Sequence, residues 1–276
     1  MTLPDVQAAR DDRNLALDEV GISGIRYPVA VADSKHGKQD TVAEVRMSVD
    51  LPAGVKGAHL SRFVEILHEA AGEITPQAIP AILEAIRARL HAANARLEVA
   101  FPFFLRRAAP ITGAAALMDY QCWIAGEIDG SRARVILGVR VPVTSVCPCS
   151  KAISDYGAHN QRAVITIRAC LQDHDGQPVE LSVEELIEAA EGAASSPVFP
   201  LLKRPDERHV TMRAHDHPVF VEDMARSVAQ SLQSDQRISW FAVEAASDES
   251  IHNHAAFART QSTHRRWTSR EKVAVS

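Results

Sequence analysis

Alternation of apolar and polar positions predicts that strands make up much of the chain. In TVAEVRMSVDL (41–51), the later residues place an apolar side chain at every second position, which is the pattern of a strand with one buried face. Residues 161–171 repeat this alternation, and Asp129-Gly130 predicts a hairpin turn between two strand-like segments. Further strands are predicted at 25–33, 97–106, 113–127, 131–143 and 237–247.

Helical spacing of apolar residues appears in four other segments. Ser182 and Glu185 form a capping-box pattern at the start of one of them. The predicted helices are 60–71, 76–95, 182–194 and 219–233. The order of elements predicts an α+β protein of two halves, with antiparallel sheets and helices on one face. The expected parts are an N-terminal arm at 1–24, a first module at 25–130, a second module at 131–262 and a mobile tail at 263–276.

Composition and charge narrow the function classes. Hydrophobic residues make up 46% of the 276 residues and charged residues 24%, which is typical of a globular protein with a core. The net charge of −5 disfavours a nucleic-acid binder. The N-terminus shows no signal-peptide pattern, and apolar runs do not reach the ~18 residues of a membrane span. We therefore expect a cytoplasmic protein with no membrane or nucleic-acid partner.

A pair of cysteines is the most informative local feature. The chain has four cysteines, too few for a disulfide scaffold. Cys147 and Cys149 flank Pro148, and His159 follows ten residues after the second cysteine. Thiolate and imidazole are good ligands for a divalent ion such as zinc. Two reduced surface thiols and an unrelated histidine explain the pattern as well.

Acidic residues and a histidine downstream extend this candidate site. Each also has an ordinary explanation. Glu207 could be a solvated acid, and Glu222 could complement the dipole of a helix start. Glu249 and His252 could be a surface pair. Taken together, these residues indicate a candidate catalytic metal site of cysteine, histidine and carboxylate, without indicating a substrate.

Six ordered motifs resemble a known family over residues 25–262. The chain is similar to GTP cyclohydrolase of type IB, a metal-dependent enzyme of the tunnel-fold superfamily that opens folate synthesis in some bacteria. The motifs are KGAHLSRF (56–63), SVCPCSK (145–151), GAHNQR (157–162), KRPDE (203–207), FVEDM (220–224) and ESIHNH (249–254).

The resemblance implies a fold, an assembly and a reaction. The fold would be two tandem tunnel-fold modules, and the assembly a homotetramer with active sites at subunit interfaces. GTP and water would give 7,8-dihydroneopterin triphosphate and formate. The metal ligands would be Cys147, His159 and Glu207, with zinc, manganese or iron as the ion. Cys149 would lie beside C8 of guanine, with metal ligation as its second possibility.

The resemblance also assigns the remaining site residues. The catalytic group would be Cys149, His159, Glu249 and His252, with the last two transferring protons. Glu222 would anchor the guanine edge. Lys151, Arg204 and Arg62 are candidates for binding the triphosphate, although ordinary solvated charge explains them too.

Two alternative functions stay open at this point. One is a tunnel-fold nitrile reductase with a cysteine nucleophile and a nicotinamide cofactor, which would not need His159 and Glu207 as metal ligands. The other is a non-catalytic purine- or metal-binding module, which would not need Glu249 and His252.

Overall fold

A computed structural model describes residue 7 and residues 10–130 and 132–262. The tail predicted at 263–276 lies outside the described residues. The strands are β1 (Leu17–Asp33), β2 (Gly37–Leu51), β3 (Asn94–Ala108), β4 (Ala115–Asp129), β5 (Arg132–Val146), β6 (Asn160–Leu171), β7 (Asp173–His174), β8 (Gln177–Pro178), β9 (Ser196–Pro197), β10 (Ile238–Asp248) and β11 (Ala255–Gln261). The helices are α1 (Ser61–Ala70), α2 (Ile79–Leu90), α3 (Pro148–Ile153), α4 (Val183–Gly192), α5 (Arg204–Asp216) and α6 (Val221–Ser234).

Nine of these strands form one sheet. Its order is β1-β2-β3-β4-β5-β6-β10-β11, with β9 paired to β5, while β7 and β8 form a separate ribbon. The paired strands run antiparallel. The predicted hairpin at Asp129-Gly130 joins β4 to β5, and Gly130 has φ 65°, a conformation that glycine adopts without strain.

The main core lies between one face of the sheet and α1, α2, α4 and α6. The period-2 pattern produces this face directly: Val45, Met47 and Val49 of β2 are buried, as are the alternating residues of β5, β6 and β10. Helix α4 begins with the predicted capping box, because Ser182 Oγ accepts from the Glu185 amide at 3.3 Å and the Glu185 carboxylate accepts from the Ser182 amide at 3.0 Å.

The predicted fold class is wrong. We expected two tandem tunnel-fold modules with their own antiparallel sheets. The structure instead has a single continuous sheet, because β5 pairs with β4 on one side and with β6 on the other along most of its length. The boundary placed at residues 130–131 therefore coincides with a tight hairpin inside this sheet.

Among the elements that differ from the predicted pattern are β1, α5 and β11, while the short elements α3, β7, β8 and β9 were not predicted either. Strand β1 begins at Leu17, within the segment expected to be an arm. Helix α5 was not predicted, because its sequence is polar around the whole helix and buries only Asp206 and Ala214. Strand β11 follows the ESIHNH motif and exposes every second residue.

The sheet face opposite the main core carries a small second cluster: Ile136, Cys170, Trp240 and Ala242. Trp123 also packs on this face, with the Arg168 guanidinium 5.7 Å from its ring centre. Cys122 in β4 and Cys170 in β6 are buried. Within the described residues, no helix combines the length and the apolar character needed to cross a membrane.

Candidate functional site

The Cys147 loop begins where β5 ends. Cys147 is the N-cap of α3, and its sulfur accepts from the Ser150 amide at 3.4 Å. Pro148 occupies the first turn, where its missing N–H has no intrahelical acceptor to lose. Cys147 is half-buried and Cys149 is exposed. A short helical turn therefore presents both thiols at one end of the sheet.

His159 returns to the same end of the sheet. Gly157, with φ 126°, turns the chain just before it. The Cys147 amide donates to the His159 carbonyl at 3.2 Å, and the His159 amide donates to Ser150 Oγ at 3.3 Å. These backbone contacts hold the two predicted metal ligands in one local unit.

Gln161 joins His159 to the loop after β10. His159 Nδ1 lies 2.8 Å from Gln161 Oε1, and Gln161 Nε2 donates to Glu249 Oε1 at 3.3 Å. Ser250 Oγ is 3.5 Å from His159 Nδ1. The contacts of this structure thus bring together Cys147, His159 and Glu249, three of the predicted site residues.

His252 lies further out in the same loop between β10 and β11. It is exposed, and its ring stacks on that of His254 with centroids 5.1 Å apart. It therefore shares a loop with Glu249 while facing solvent.

Glu207 lies in the first turn of α5. Its side chain is exposed, whereas the neighbouring Asp206 is fully buried. Asp206 accepts from the amides of Ile111, Thr112 and Lys203 and from Thr112 Oγ1, over 2.7–2.9 Å. Burial opposes ionisation, but these hydrogen bonds outweigh it and hold the pKa of Asp206 well below its usual range. Asp206 therefore fixes the start of α5 to the β3–β4 loop.

Glu222 is exposed in the first turn of α6. The chain entering this helix is attached to the end of β5, because the Val219 amide donates to the Val146 carbonyl at 3.1 Å and Ser145 Oγ donates to the Val219 carbonyl at 3.0 Å. The helix start that carries Glu222 is thus held beside the Cys147 loop.

The three cations predicted for the triphosphate occupy different positions. The Lys151 ammonium donates to the carbonyl of His215, near the end of α5. Arg204 is exposed at the first position of α5. Arg62 donates to the carbonyl of Arg89 at the end of α2, and this contact occupies one of its donors away from the Cys147 loop.

The predicted metal ligands do not form a complete set in the described residues. No group of three or more His, Cys, Asp and Glu side chains there is close enough to hold an ion. The chemistry of two donors does fit a metal. An amide oxygen can only accept, so the contact with Gln161 is a hydrogen bond only in the tautomer with the proton on Nδ1, in which the Nε2 lone pair can bind a metal. The Cys147 sulfur provides the second donor.

Sequence reasoning missed Gln161 and Asp206. A signal for Gln161 was present, because it shares the strand phase of Ala163 and Ile165, which face the core. A polar residue in a core-facing position needs buried hydrogen-bond partners. Asp206 gave no such signal, because α5 has no apolar stripe against which a buried acid would stand out.

The family model described as "Type I GTP cyclohydrolase folE2" matches residues 3–258. The chain belongs to the type I GTP cyclohydrolase FolE2 family. A relative named GTP cyclohydrolase FolE2 from Syntrophobacter fumaroxidans is 46% identical over 92% of this chain and 97% of its own length. The relatives of the same name from Azoarcus sp. and Methylococcus capsulatus are each 48% identical, over 93% and 94% of both chains respectively.

The FolE2 family match confirms the GTP cyclohydrolase resemblance drawn from the six motifs. The matching description is type I FolE2, and it does not give the narrower type IB label. It also confirms the predicted enzyme class, a GTP cyclohydrolase of folate biosynthesis.

Solved structures with a similar fold include uricases. Uricase from Arthrobacter globiformis has a TM-score of 0.51 at 9% identity and covers 93% of this chain and 96% of its own. A urate oxidase mutant from Bacillus sp. TB-90 has a TM-score of 0.53 at 9% identity, with coverage of 90% and 100%. At these identities the likeness concerns the fold of this FolE2 family member alone.

Proposed function

We propose that this GTP cyclohydrolase carries out its reaction where the ends of β5, β6 and β10 meet the start of α6. The observation that supports this location is the continuous set of contacts from the Cys147 loop through His159 and Gln161 to Glu249. The reaction converts GTP and water into 7,8-dihydroneopterin triphosphate and formate. It needs an activated water, proton transfer and recognition of guanine, and this end of the sheet carries residues suited to each.

Cys147, His159 and Glu207 would hold a divalent metal ion, which we propose to be zinc, manganese or iron. When bound, such an ion lowers the pKa of a water molecule, to ~7 in carbonic anhydrase, and so provides a nucleophile at neutral pH. Cys147 and His159 are already in one local unit. The carboxylate of Glu207 is exposed on α5. To complete the ligand set, this carboxylate would have to move toward Cys147 and His159.

Glu249 and His252 would transfer protons during ring opening. Glu249 is half-buried and hydrogen-bonded to Gln161, which fixes its position near His159. His252 is exposed in the same loop, where it can exchange protons with solvent. Cys149 would line the site beside the guanine C8.

Guanine recognition falls to Glu222. A carboxylate can accept two parallel N–H bonds from the guanine edge, which gives specificity for a 2-amino purine. Lys151, Arg204 and Arg62 would bind the triphosphate, and Arg204 is the exposed one at the start of α5. The proposed assembly is a homotetramer, and light scattering of the purified protein tests it.

The activity test uses anaerobically purified protein loaded with zinc, manganese or iron in turn. We expect formate release from GTP and a fluorescent pterin after oxidation. Turnover with none of the three metals would refute the proposed chemistry. Consumption of a reduced nicotinamide would instead favour the nitrile reductase, and GTP binding without turnover would favour the binding module.

His159→Ala tests the metal site. We expect this variant to lose bound metal and activity together, since it removes the imidazole donor. The matched control is His174→Ala in the β7–β8 ribbon, which removes an exposed histidine outside the proposed site. Stoichiometric metal in the His159→Ala variant would disprove the ligand assignment.

Glu222→Gln tests guanine recognition. An amide supplies only one acceptor oxygen in place of two, so we expect KM for GTP to rise more than kcat falls. Glu188→Gln, an exposed acid on α4, is the control. Unchanged GTP affinity in the Glu222→Gln variant would remove its anchoring role.

A further inference from the structure

We propose that Gln161 is a positioning residue that fixes the proton of His159 on Nδ1 and holds Glu249 beside it. The inference rests on the proposed function, because it assigns the roles of donor and proton carrier to His159 and Glu249. Neither the six motifs nor the family description assigns a role to Gln161.

The placement of Gln161 leaves its amide few other partners. The residue is 8% exposed and shares the strand phase of Ala163 and Ile165, whose side chains enter the core. A buried amide without hydrogen bonds is destabilising. Both ends of this one are satisfied, the oxygen by His159 at 2.8 Å and the nitrogen by Glu249 at 3.3 Å.

The polarity of the two contacts determines what each neighbour does. The amide oxygen can only accept, so His159 Nδ1 donates and Nε2 keeps its lone pair for a ligand. The amide nitrogen can only donate, so Glu249 presents an acceptor oxygen to it. Gln161 therefore holds both groups without adding charge and without passing a proton between them.

Strand pairing explains why this residue reaches both neighbours. Ala163 and Ser247 form the last pair of the β6–β10 ladder, and Gln161 and Glu249 each lie two residues beyond that pair. His159 is two residues before Gln161, just outside the first residue of β6. At this end of β6 and β10, the His159 imidazole and the Glu249 carboxylate therefore both contact the side-chain amide of Gln161.

The test compares Gln161→Leu with Asn160→Leu, which removes an exposed amide at the neighbouring position. Nitrogen NMR of histidine-labelled apo protein reports the His159 tautomer at a pH where the imidazole is neutral. Zinc affinity is measured by competition with a chromophoric chelator. We expect the wild type and Asn160→Leu to show Nδ1–H alone. In Gln161→Leu we expect mixed tautomers and a loss of about 10- to 100-fold in zinc affinity.

A second variant separates the two contacts and covers the case in which Gln161→Leu does not fold. Gln161→Glu keeps an acceptor for His159 but replaces the donor to Glu249 with a like charge. We expect it to retain the Nδ1–H tautomer and zinc binding while kcat falls. A folded Gln161→Leu that keeps both the single tautomer and the zinc affinity overturns the proposal, as does a mixed tautomer in Gln161→Glu. If the wild type does not turn over GTP, the proposed function is refuted but the role of Gln161 is not, because the tautomer is measured without substrate.

Discussion

Removal of the Tyr120 hydroxyl is expected to destabilise the fold next to the proposed site. Tyr120 in β4 is 1% exposed and donates to Glu191 Oε1 at 2.8 Å, while Arg107 of β3 donates to the other carboxylate oxygen. Glu191 lies near the end of α4, which leads to β9. Ser195, just before β9, accepts from the Val146 amide at 3.0 Å, one residue before the Cys147 loop. The contact therefore helps to hold the chain beneath that loop.

The expected loss of unfolding free energy follows from the burial of both Tyr120 and Glu191. Glu191 is 6% exposed, and burial raises its pKa, although Arg107 and Tyr120 partly offset this. Tyr120→Phe leaves one buried carboxylate oxygen without its donor, which costs about 1–3 kcal/mol of unfolding free energy. At ~2–4 °C per kcal/mol for a domain of about this size, a loss near the middle of that range lowers Tm by roughly 4–8 °C.

Urea and thermal unfolding at fixed protein concentration measure the effect, because assembly would make Tm concentration-dependent. Tyr27→Phe is the matched control. The Tyr27 hydroxyl lies 2.7 Å from His68 Nδ1 in a solvent-exposed hydrogen bond, so its loss should change stability by no more than about 0.5 kcal/mol. Equal effects of the two substitutions would refute the reasoning that burial makes the Tyr120–Glu191 contact important.

Substitutions at two other positions, Asp206 and Gly138, are each expected to lower the free energy of unfolding. Because the pKa of Asp206 is lowered on folding, its stabilisation is present above the unfolded value near 3.8 and is lost as pH falls below it. Asp206→Asn should therefore be less stable than the wild type at neutral pH in urea unfolding, and the difference should shrink in acid; a constant difference would contradict this. Gly138→Ala would place a Cβ 2.0 Å from the Trp123 ring, so we expect a loss of about 1–3 kcal/mol. Gly192→Ala meets nothing within 4 Å and serves as its control in the same urea assay.

The structure links three of the predicted site residues, Cys147, His159 and Glu249, by hydrogen bonds, whereas it contradicts the predicted fold. Cys147 and His159 stand in adjacent motifs, and a local turn and a strand start bring them together. Glu249 is far along the chain; the residue types made it a candidate, and the resemblance assigned it a catalytic role beside them. In the structure, Gln161 contacts both His159 and Glu249. The sequence could have indicated this, because Gln161 is a polar residue at a core-facing position of a strand.

The fold prediction failed for a physical reason. Alternating patterns identify strands and their buried faces, but they do not say which strand pairs with which. Strand β5 carries apolar residues at most positions, which is consistent with neighbours on both sides and coverage of both faces. Its pairing with both β4 and β6 makes one sheet where two were expected. Helix α5 was not predicted because it buries little apolar surface and so shows no apolar stripe in the sequence. The hydrogen bonds of Asp206 hold it in place instead.

Strand register connects the core to the chemistry. A slip of one residue between β6 and β10 would turn the core-facing residues of one of the two strands, such as Ile165 in β6 or Val243 in β10, toward the opposite face, so apolar burial opposes it strongly. The same register places Gln161 and Glu249 each two residues beyond the last ladder pair, where Gln161 contacts both the carboxylate of Glu249 and the imidazole of His159. The apolar residues of these strands therefore define the geometry of the proposed site, although none of them is assigned a chemical role. It follows that core substitutions in β6 that preserve volume should leave zinc affinity intact, whereas those that loosen the β6–β10 ladder should weaken it.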